Sequence, residues 1–403
     1  MRKNRHFCLL LALFAAVLTV ACAPVPLRAE TTETDLELTA RSVLLMEAST
    51  GAVLYEQNAD EELSPASITK IMTLLLIFDA LEEGKIALTD LVTTSAYAKS
   101  MGGSQVFLEE GEQQTVETMI KCIVIASGND ASVAMAEYLA GSEAEFVRRM
   151  NERAEGLGMS GTHFEDCCGL SEAETHRTTA RDVAVMSREL ITHYPQISDY
   201  ATIWMENITH VTANGTSEFT LSNTNKLLKM SQSFRVTGLK TGSTSLAKYC
   251  FSGTAEQDGI HLIAVVMAAP DYKTRFSEAQ AMLNYGFSVC SLFEDTDRDR
   301  EELPEIPVER GKSDSVPLAY ADSFSYLSTT GEDFSQIERR VSLESSLTAP
   351  VEEGTRAGTL EYILDGRTLG SVDIVTAAAV EEAGFPDILR RFWEAFLDTG
   401  FAV

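Results

Sequence analysis

The sequence contains few of the residues that bind metal ions. Only seven cysteines and six histidines occur among 403 residues, and the histidines form no H-E-x-x-H or similar group. No two cysteines have the C-x-x-C spacing of zinc sites, so we predict neither a metal site nor another cofactor. The five cysteines after residue 30 include one adjacent pair, Cys167-Cys168, and predict buried free thiols rather than a disulfide framework.

Basic residues are also scarce. The chain has 32 lysines and arginines against 60 aspartates and glutamates, which gives a formal net charge of −28 at pH 7. A surface this acidic repels nucleic acid over most of its area. We therefore exclude a nucleic-acid partner.

The longest apolar run, Phe7–Ala21, lies near the amino terminus and is too short to span a bilayer. It follows three basic residues, an arrangement typical of a secretory signal peptide. We predict a signal peptide over residues 1–29 and therefore an exported protein. Because Thr19–Cys22 also resembles a lipoprotein box, lipidation of Cys22 is the alternative.

Secondary-structure patterns divide the rest of the chain into several parts. Strand patterns at both ends of residues 38–292, with helical patterns between them, predict an α+β catalytic domain with an antiparallel sheet. The charged stretch 294–302 predicts a linker. Short strand patterns over residues 303–376, among them Val316–Ala319, predict a small all-β domain.

The last part, residues 377–403, carries one amphipathic helix pattern. Its apolar residues recur with helical spacing and form a single stripe: Phe385, Ile388, Leu389, Phe392, Trp393, Phe396 and Leu397. Since the charges on the opposite face are mixed in sign, we expect binding to a membrane through apolar area. Packing of the stripe on the protein itself or on a partner is the alternative.

Three short motifs occur in a fixed order: Ser67-Ile68-Thr69-Lys70, then Ser127-Gly128-Asn129, then Lys240-Thr241-Gly242. Each motif alone is weak, and Ser245-Leu246-Ala247-Lys248 is a second chance match to the first. The ordered set, with each motif at the edge of a predicted element, is hard to obtain by chance. It is typical of serine enzymes that form an acyl-enzyme.

The first motif combines a nucleophile with a base. Ser67 and Lys70 are three residues apart, so they share one face of a helix that begins near Ser67. This helix is apolar almost all round and should be buried, which lowers the pKa of a lysine toward neutrality. A neutral Lys70 can accept the hydroxyl proton of Ser67, whose backbone N–H can bind an oxyanion.

The second motif lies in a turn between two predicted helices, where side chains can point into a cleft. The hydroxyl of Ser127 can pass a proton to a leaving amine. The amide of Asn129 offers both a donor and an acceptor to a substrate peptide bond.

The third motif ends a predicted strand. Lys240 supplies positive charge that assists Ser127, and Thr241 offers a hydroxyl to a substrate carboxylate. Because Gly242 has no side chain, a ligand can approach the backbone closely. The N–H of Ser243 is then the second oxyanion donor.

The motifs and their surroundings resemble the D-alanyl-D-alanine carboxypeptidases, which are the low-molecular-weight penicillin-binding proteins. The resemblance is carried by Glu47–Gly51, Pro65–Thr73, Ala126–Ala131 and Thr237–Gly242. Gly128 is typical of this family, whereas β-lactamases usually have aspartate there.

The resemblance implies both fold and activity. The fold would be a penicillin-binding/β-lactamase-like transpeptidase domain of the α+β class, followed by a small β-sandwich domain and a C-terminal amphipathic helix. The activity would be removal of the terminal D-alanine from peptidoglycan pentapeptide stems through an acyl-enzyme on Ser67. β-Lactam antibiotics would be covalent inhibitors. Arg275 matches a family arginine that helps to hold the substrate carboxylate, and the helix would attach the enzyme to the outer face of the bacterial cytoplasmic membrane.

The sequence also departs from the family pattern near the expected cleft. Asp166–Leu170 replaces a string similar to Asn-Pro-Thr-Gly-Leu, and Ser243 and Lys248 differ from the usual residues. These changes concern rate and substrate preference rather than reaction class.

Two other functions fit parts of the pattern. A β-lactamase or esterase would share the nucleophile, but a β-lactamase also needs an E-x-x-L-N string between the second and third motifs, and the sequence has none. A wall-associated scaffold without catalytic activity would not need all three motifs intact. We therefore expect an enzyme.

Overall fold

The computed structural model of the chain describes residues 36–213, 215–295 and 300–398. The predicted signal peptide over 1–29 and the alternative lipidation site at Cys22 lie outside the described residues. Within these ranges, no helix combines the length and apolar character needed to cross a membrane.

The first part of the described chain contains both helices and strands. The strands are β1 (Ser42–Glu47), β2 (Val53–Gln57), β3 (Leu91–Thr93), β4 (Gln113–Thr115), β5 (Met205–Thr212), β6 (Gly215–Ser222), β7 (Arg235–Thr244), β8 (Lys248–Gln257) and β9 (Ile260–Ala269). The helices are α1 (Lys70–Glu82), α2 (Ala96–Lys99), α3 (Val116–Val124), α4 (Asn129–Ala140), α5 (Glu143–Gly156), α6 (Ala180–His193), α7 (Ile197–Ala201) and α8 (Thr274–Val289).

A five-stranded antiparallel sheet organises this part, with strand order β2-β1-β9-β8-β7. The first strand pairs with the last, since Ser42 lies opposite Met267. Helices α6 and α8 both pack on β9, whose residues are nearly all buried, as expected for a strand in the middle of a covered sheet. The predicted meander of β7, β8 and β9 is confirmed.

Helix α1 is the buried centre of the helical part. A 3-10 turn, Ala66–Thr69, leads into it, and nine of the residues in α1 are buried. Helices α3, α4, α5 and α6 contact it. An apolar surface on every side requires neighbours on every side, and the prediction of a central helix is confirmed.

The second part is built almost entirely from strands. These are β10 (Ser291–Asp295), β11 (Ile306–Glu309), β12 (Ser315–Val316), β13 (Leu318–Tyr320), β14 (Phe324–Ser328), β15 (Glu338–Leu343), β16 (Leu347–Thr348), β17 (Arg356–Leu364) and β18 (Arg367–Thr376). They form sheets of order β13-β18-β17-β15, β12-β11-β16 and β10-β14. The predicted fold class, an α+β part followed by an all-β part, is confirmed.

The predicted linker over 294–302 is wrong at its beginning. Asp295 ends β10, which pairs with β14, and its side chain is fully buried. The carboxylate accepts hydrogen bonds from the Tyr362 hydroxyl at 2.6 Å and from Nη2 of Arg339 at 2.7 Å. The sequence shows Asp295 only as one member of a charged run, because its partners lie in distant strands.

The predicted strand Val316–Ala319 is two strands in different sheets. β12 belongs to the three-stranded sheet and β13 to the four-stranded sheet, with Pro317 between them. Proline has no N–H to donate to a neighbouring strand, so a pairing cannot continue through this position.

The predicted C-terminal helix is present as α9 (Phe385–Asp398). Its polar face is attached to the all-β part, since Arg391 forms an ion pair of 2.9 Å with Asp314 and donates to the carbonyl oxygen of Lys312 at 2.7 Å. Six apolar residues of the stripe on α9 are exposed, among them Phe385, which is 76% accessible, and Leu397, which is 72% accessible.

Candidate active site

Ser67 and Lys70 are adjacent at the beginning of α1. The turn Ala66–Thr69 places Ser67 one turn before Lys70, and Nζ of Lys70 lies 3.0 Å from Oγ of Ser67. Ser67 is half-buried, whereas Lys70 is completely buried. A substrate can therefore reach the hydroxyl, while solvent cannot reach the amine.

Three oxygen atoms surround the amine of Lys70. Besides Ser67 Oγ, these are Oδ1 of Asn129 and the main-chain oxygen of Cys168, each 2.6 Å from Nζ. Burial lowers the pKa of Lys70 below its ordinary value, although the acidic groups around it act in the opposite direction. A neutral amine can donate to Asn129 and Cys168 and still accept the proton of Ser67.

Asn129 begins helix α4 and has partners at both ends of its amide. Its Nδ2 donates to the main-chain oxygen of Gly102 at 2.7 Å, and its Oδ1 accepts from Lys70. The side chain was expected to orient a substrate peptide. In this structure it holds Lys70 in position.

Ser127 points its hydroxyl into a buried space. The residue is 3% exposed, and its Oγ has no hydrogen-bond partner among the described residues. Its backbone has φ of +62°, an uncommon conformation for a residue other than glycine. A buried hydroxyl without a partner costs free energy, so this oxygen is suited to contact a bound ligand.

Lys240 is buried in β7 near the same centre. Its Nζ donates to the main-chain oxygen of Thr241 at 3.1 Å rather than to Ser127. Burial lowers the pKa of Lys240 well below its ordinary value, and the charges of Lys70 and Arg275 add to this effect. A negatively charged substrate group would favour the protonated form.

β7 lies directly against the turn that carries Ser67. A Cβ atom on Gly242 would lie 2.7 Å from the main-chain oxygen of Pro65 and 3.1 Å from the main-chain nitrogen of Ser67. Only glycine permits this approach. On the same strand, Thr241 donates its hydroxyl to Thr224 at 2.8 Å, and Ser243 is exposed.

Arg275 lies beneath β7. Its Nη1 donates to the main-chain oxygen atoms of Gly242 at 3.1 Å and Cys250 at 3.4 Å, and its Nε is buried without a partner among the described residues. The residue is only 8% exposed. It therefore supports the strand that carries the third motif.

Comparison with known proteins matches the chain to one family. A family model described as D-alanyl-D-alanine carboxypeptidase matches residues 29–271, and the C-terminal domain of penicillin-binding protein 5 matches residues 299–382. The chain belongs to the D-alanyl-D-alanine carboxypeptidase family.

Relatives of this family match most of the chain. It is 40% identical to D-alanyl-D-alanine carboxypeptidase DacF of Bacillus subtilis, with 89% of this chain and 90% of the relative covered. It is 34% identical to DacC of Escherichia coli, with 92% and 91% covered. Penicillin-binding protein 5 from Haemophilus influenzae has a similar structure, with a TM-score of 0.63, 31% identity, and coverage of 86% of this chain and 98% of that one.

Penicillin-binding protein D2 from Listeria monocytogenes, solved in its ampicillin-bound form, also has a similar structure. The TM-score is 0.52 and the identity 30%, with 63% of this chain and 99% of that chain covered. One structural neighbour of this chain thus holds ampicillin.

The three sequence motifs do not include the loop of residues 166–171, whose Cys168 carbonyl oxygen faces Lys70. The carboxylate of Asp166 accepts the backbone N–H groups of Cys168 at 2.8 Å and Ser171 at 2.5 Å, and that of Gly169 as well. A Cβ on Gly169 would lie 1.9 Å from the main-chain oxygen of Ala66, so glycine is required here. In the sequence, only the departure of Asp166–Leu170 from the family pattern drew attention to this loop.

His176 supports the turn Ala66–Thr69, which carries Ser67. Its Nδ1 accepts the N–H of Glu165 at 2.9 Å, so its Nε2 carries the proton and donates to Oγ1 of Thr69 at 3.0 Å. Burial lowers the pKa of His176 and favours this neutral form.

Proposed function

We propose that Ser67 is the nucleophile of this serine-type D-alanyl-D-alanine carboxypeptidase, which acts on peptidoglycan pentapeptide stems. The observation that carries the proposal is the 3.0 Å distance between Oγ of Ser67 and Nζ of a completely buried Lys70. A hydroxyl beside an amine of lowered pKa is an activated nucleophile.

In the acylation step, Lys70 accepts the proton of Ser67 while Oγ attacks the carbonyl carbon of the penultimate D-alanine. The developing oxyanion is bound by the backbone N–H groups of Ser67 and Ser243. The bond between this carbonyl and the nitrogen of the terminal D-alanine then breaks. The hydroxyl of Ser127 donates a proton to the leaving amine and regains one from the ammonium of Lys70, so the proton taken from Ser67 ends on the terminal D-alanine. Lys240 assists by its charge.

The third motif and Arg275, which supports its strand, bind the substrate. The carboxylate of the terminal D-alanine contacts the hydroxyl of Thr241, and Gly242 leaves room for the peptide beside Ser67. Arg275 contributes positive charge and holds the carbonyl of Gly242. Asn129 orients the peptide and Lys70 together. Water then hydrolyses the acyl-enzyme and frees Ser67.

β-Lactam antibiotics would form an adduct at the same serine, because their strained amide presents a carbonyl to the same nucleophile. The neighbour bound to ampicillin supports this part of the proposal. A slowly hydrolysed adduct, rather than rapid turnover of penicillin, distinguishes the carboxypeptidase from a β-lactamase.

The decisive experiment measures D-alanine release from a peptidoglycan pentapeptide. Ser67→Ala should abolish both release and labelling by penicillin. Ser245→Ala is the matched control, because Ser245 begins the second S-x-x-K string but is exposed, and both activities should persist. Penicillin labelling that survives Ser67→Ala would overturn the assignment of the nucleophile.

We also propose that α9 attaches the exported enzyme to the outer face of the cytoplasmic membrane. The support is the exposed stripe on a helix whose polar face already contacts the all-β part. Phe392, which is 62% exposed, and Trp393, which is 53% exposed, would enter the membrane interface.

Flotation with lipid vesicles tests the attachment. The wild-type protein should float with vesicles of phosphatidylcholine, and adding phosphatidylglycerol should change little because the polar face of α9 has mixed charges. Phe392→Ser with Trp393→Ser should abolish flotation, whereas Glu394→Gln should not. Equal flotation of all three proteins would refute the role of the stripe.

A further inference from the structure

Cys167, Cys168 and Glu143 form a cluster of potential metal ligands behind the active site. The two sulfur atoms and a carboxylate oxygen of Glu143 all lie within 4.8 Å of one another. Both cysteines are buried free thiols, and Glu143 is half-buried. The proposed mechanism uses none of these three side chains.

The carboxylate of Glu143 is already fixed in this position. Its Oε1 accepts the N–H of Cys167 at 3.1 Å, and its Oε2 accepts the hydroxyl of Tyr97 at 2.7 Å. Glu143 begins helix α5 and comes 24 residues before Cys167. Cysteine spacing alone therefore cannot reveal the third ligand.

We propose that Glu143, Cys167 and Cys168 bind one thiophilic divalent cation, for which Zn²⁺ is the best-fitting ion. Two sulfur ligands and one carboxylate oxygen suit zinc, whereas magnesium and calcium prefer sites made of oxygen alone. Three protein ligands leave the fourth tetrahedral position to water.

The geometry needs only a small adjustment. Zinc–sulfur bonds of about 2.3 Å place two tetrahedral ligands about 3.8 Å apart. The side-chain atoms of the cluster, already within 4.8 Å, would need to approach by about 1 Å or less. As the ion binds, the thiol protons of Cys167 and Cys168 leave to solvent. The half-buried Glu143 and the exposed ring of Tyr97 provide the side from which an ion can enter.

The cluster shares its main chain with the active site. The main-chain oxygen of Cys168 lies 2.6 Å from Nζ of Lys70, and that of Cys167 lies 2.5 Å from Oγ1 of Thr73. An ion that draws the two sulfur atoms together therefore acts on the segment that holds Lys70.

The test is a zinc titration of the purified full chain against a chromogenic chelator, with a reductant that contains no thiol. We expect one zinc ion per chain. Cys167→Ser and Glu143→Gln should each weaken binding at least about tenfold. Cys290→Ser is the matched control, because Cys290 is another buried free thiol outside the cluster, and its affinity should equal that of the wild type.

A measurement with cobalt and the choice of the Glu143 variant make the result unambiguous. With Co²⁺ in place of Zn²⁺, an absorption band from thiolate to cobalt should appear in the wild type and be lost in Cys167→Ser. Glu143→Gln alters a half-buried position, so it gives an answer even if a core cysteine variant does not fold. Absence of zinc binding in the wild type, or equal affinity in all the variants, would overturn the proposal.

Penicillin labelling is recorded on the same wild-type protein before and after zinc is added. Labelling without zinc binding would refute the metal site alone, and zinc binding without labelling in either state would refute the proposed nucleophile alone. The two proposals can therefore fail independently.

Discussion

The amine of Lys70 lies 2.6 Å from Oδ1 of Asn129, a residue 59 positions later in the chain. This contact joins the first motif to the second. Asn129 in turn donates to Gly102, so the amide cannot rotate without losing a partner. The position of the proposed base is therefore set by a neutral side chain that adds no charge to it.

Replacing Asn129 by aspartate should slow acylation at neutral pH. A carboxylate beside Lys70 favours the ammonium form and raises the pKa of Lys70, so a smaller fraction of the amine is neutral at a given pH. The measurement is the rate of penicillin labelling as a function of pH. Asn207→Asp, at an exposed position on β5, is the control for added charge. An unchanged pH profile for Asn129→Asp would contradict the role of this contact.

The acylation rate of the wild type should rise with pH through the ionisation of Lys70. Only the neutral amine can accept the proton of Ser67, so the rate is low below the pKa and high above it. Because burial lowers that pKa, the rise should occur below 10.5, the ordinary value for lysine. Stopped-flow labelling with a fluorescent penicillin measures the profile. A rise centred at 10.5 or above would contradict the lowered pKa of Lys70.

Gly242→Ala should impair both activity and stability. The new Cβ would lie 2.7 Å from the main-chain oxygen of Pro65, and backbone atoms cannot move aside as side chains do. We expect a loss of about 1–3 kcal/mol in the free energy of unfolding, and an acylation rate about 100-fold lower as Ser67 is displaced. Urea unfolding and penicillin labelling measure these effects.

Gly156→Ala is the control for that change, because a Cβ at Gly156 would meet no atom within 4 Å. It should leave acylation unchanged. If Gly242→Ala behaved in the same way, β7 would not be in close contact with the nucleophile turn.

Asp295→Asn should destabilise the all-β part and leave acylation by penicillin unchanged. Asp295 is fully buried beside Arg300, Arg339 and the Tyr362 hydroxyl, so a neutral amide at this position removes a buried negative charge from two arginines. Removing one partner of such a pair costs about 3–5 kcal/mol. Urea unfolding followed by circular dichroism should show the loss, while penicillin labelling in the absence of urea should persist.

The matched control is Asp373→Asn, which breaks an exposed ion pair with Arg356. Exposed pairs contribute about 0–1 kcal/mol, so the change in unfolding free energy should be small. Similar losses in both variants would argue against a special role for the buried carboxylate.

Local patterns in the sequence were enough for several predictions. Three-residue spacing placed Ser67 beside Lys70, and the apolar surface of the following helix predicted its burial. Alternating strands with short turns predicted the meander of β7, β8 and β9. The prediction of a linker failed at Asp295, because a charged residue in a polar stretch gives no sign that its partners bury it.

The sequence by itself determined the proposed reacting groups, the order of the motifs and the amphipathic tail. These features depend on residue type and on neighbours within a few positions, which fix helix faces and strand alternation. Only the tertiary structure brought Asn129 and the carbonyl of Cys168 to Lys70, and Glu143 to the cysteine pair. Contacts across 24 to 98 residues depend on how the elements pack, and no local spacing encodes that packing.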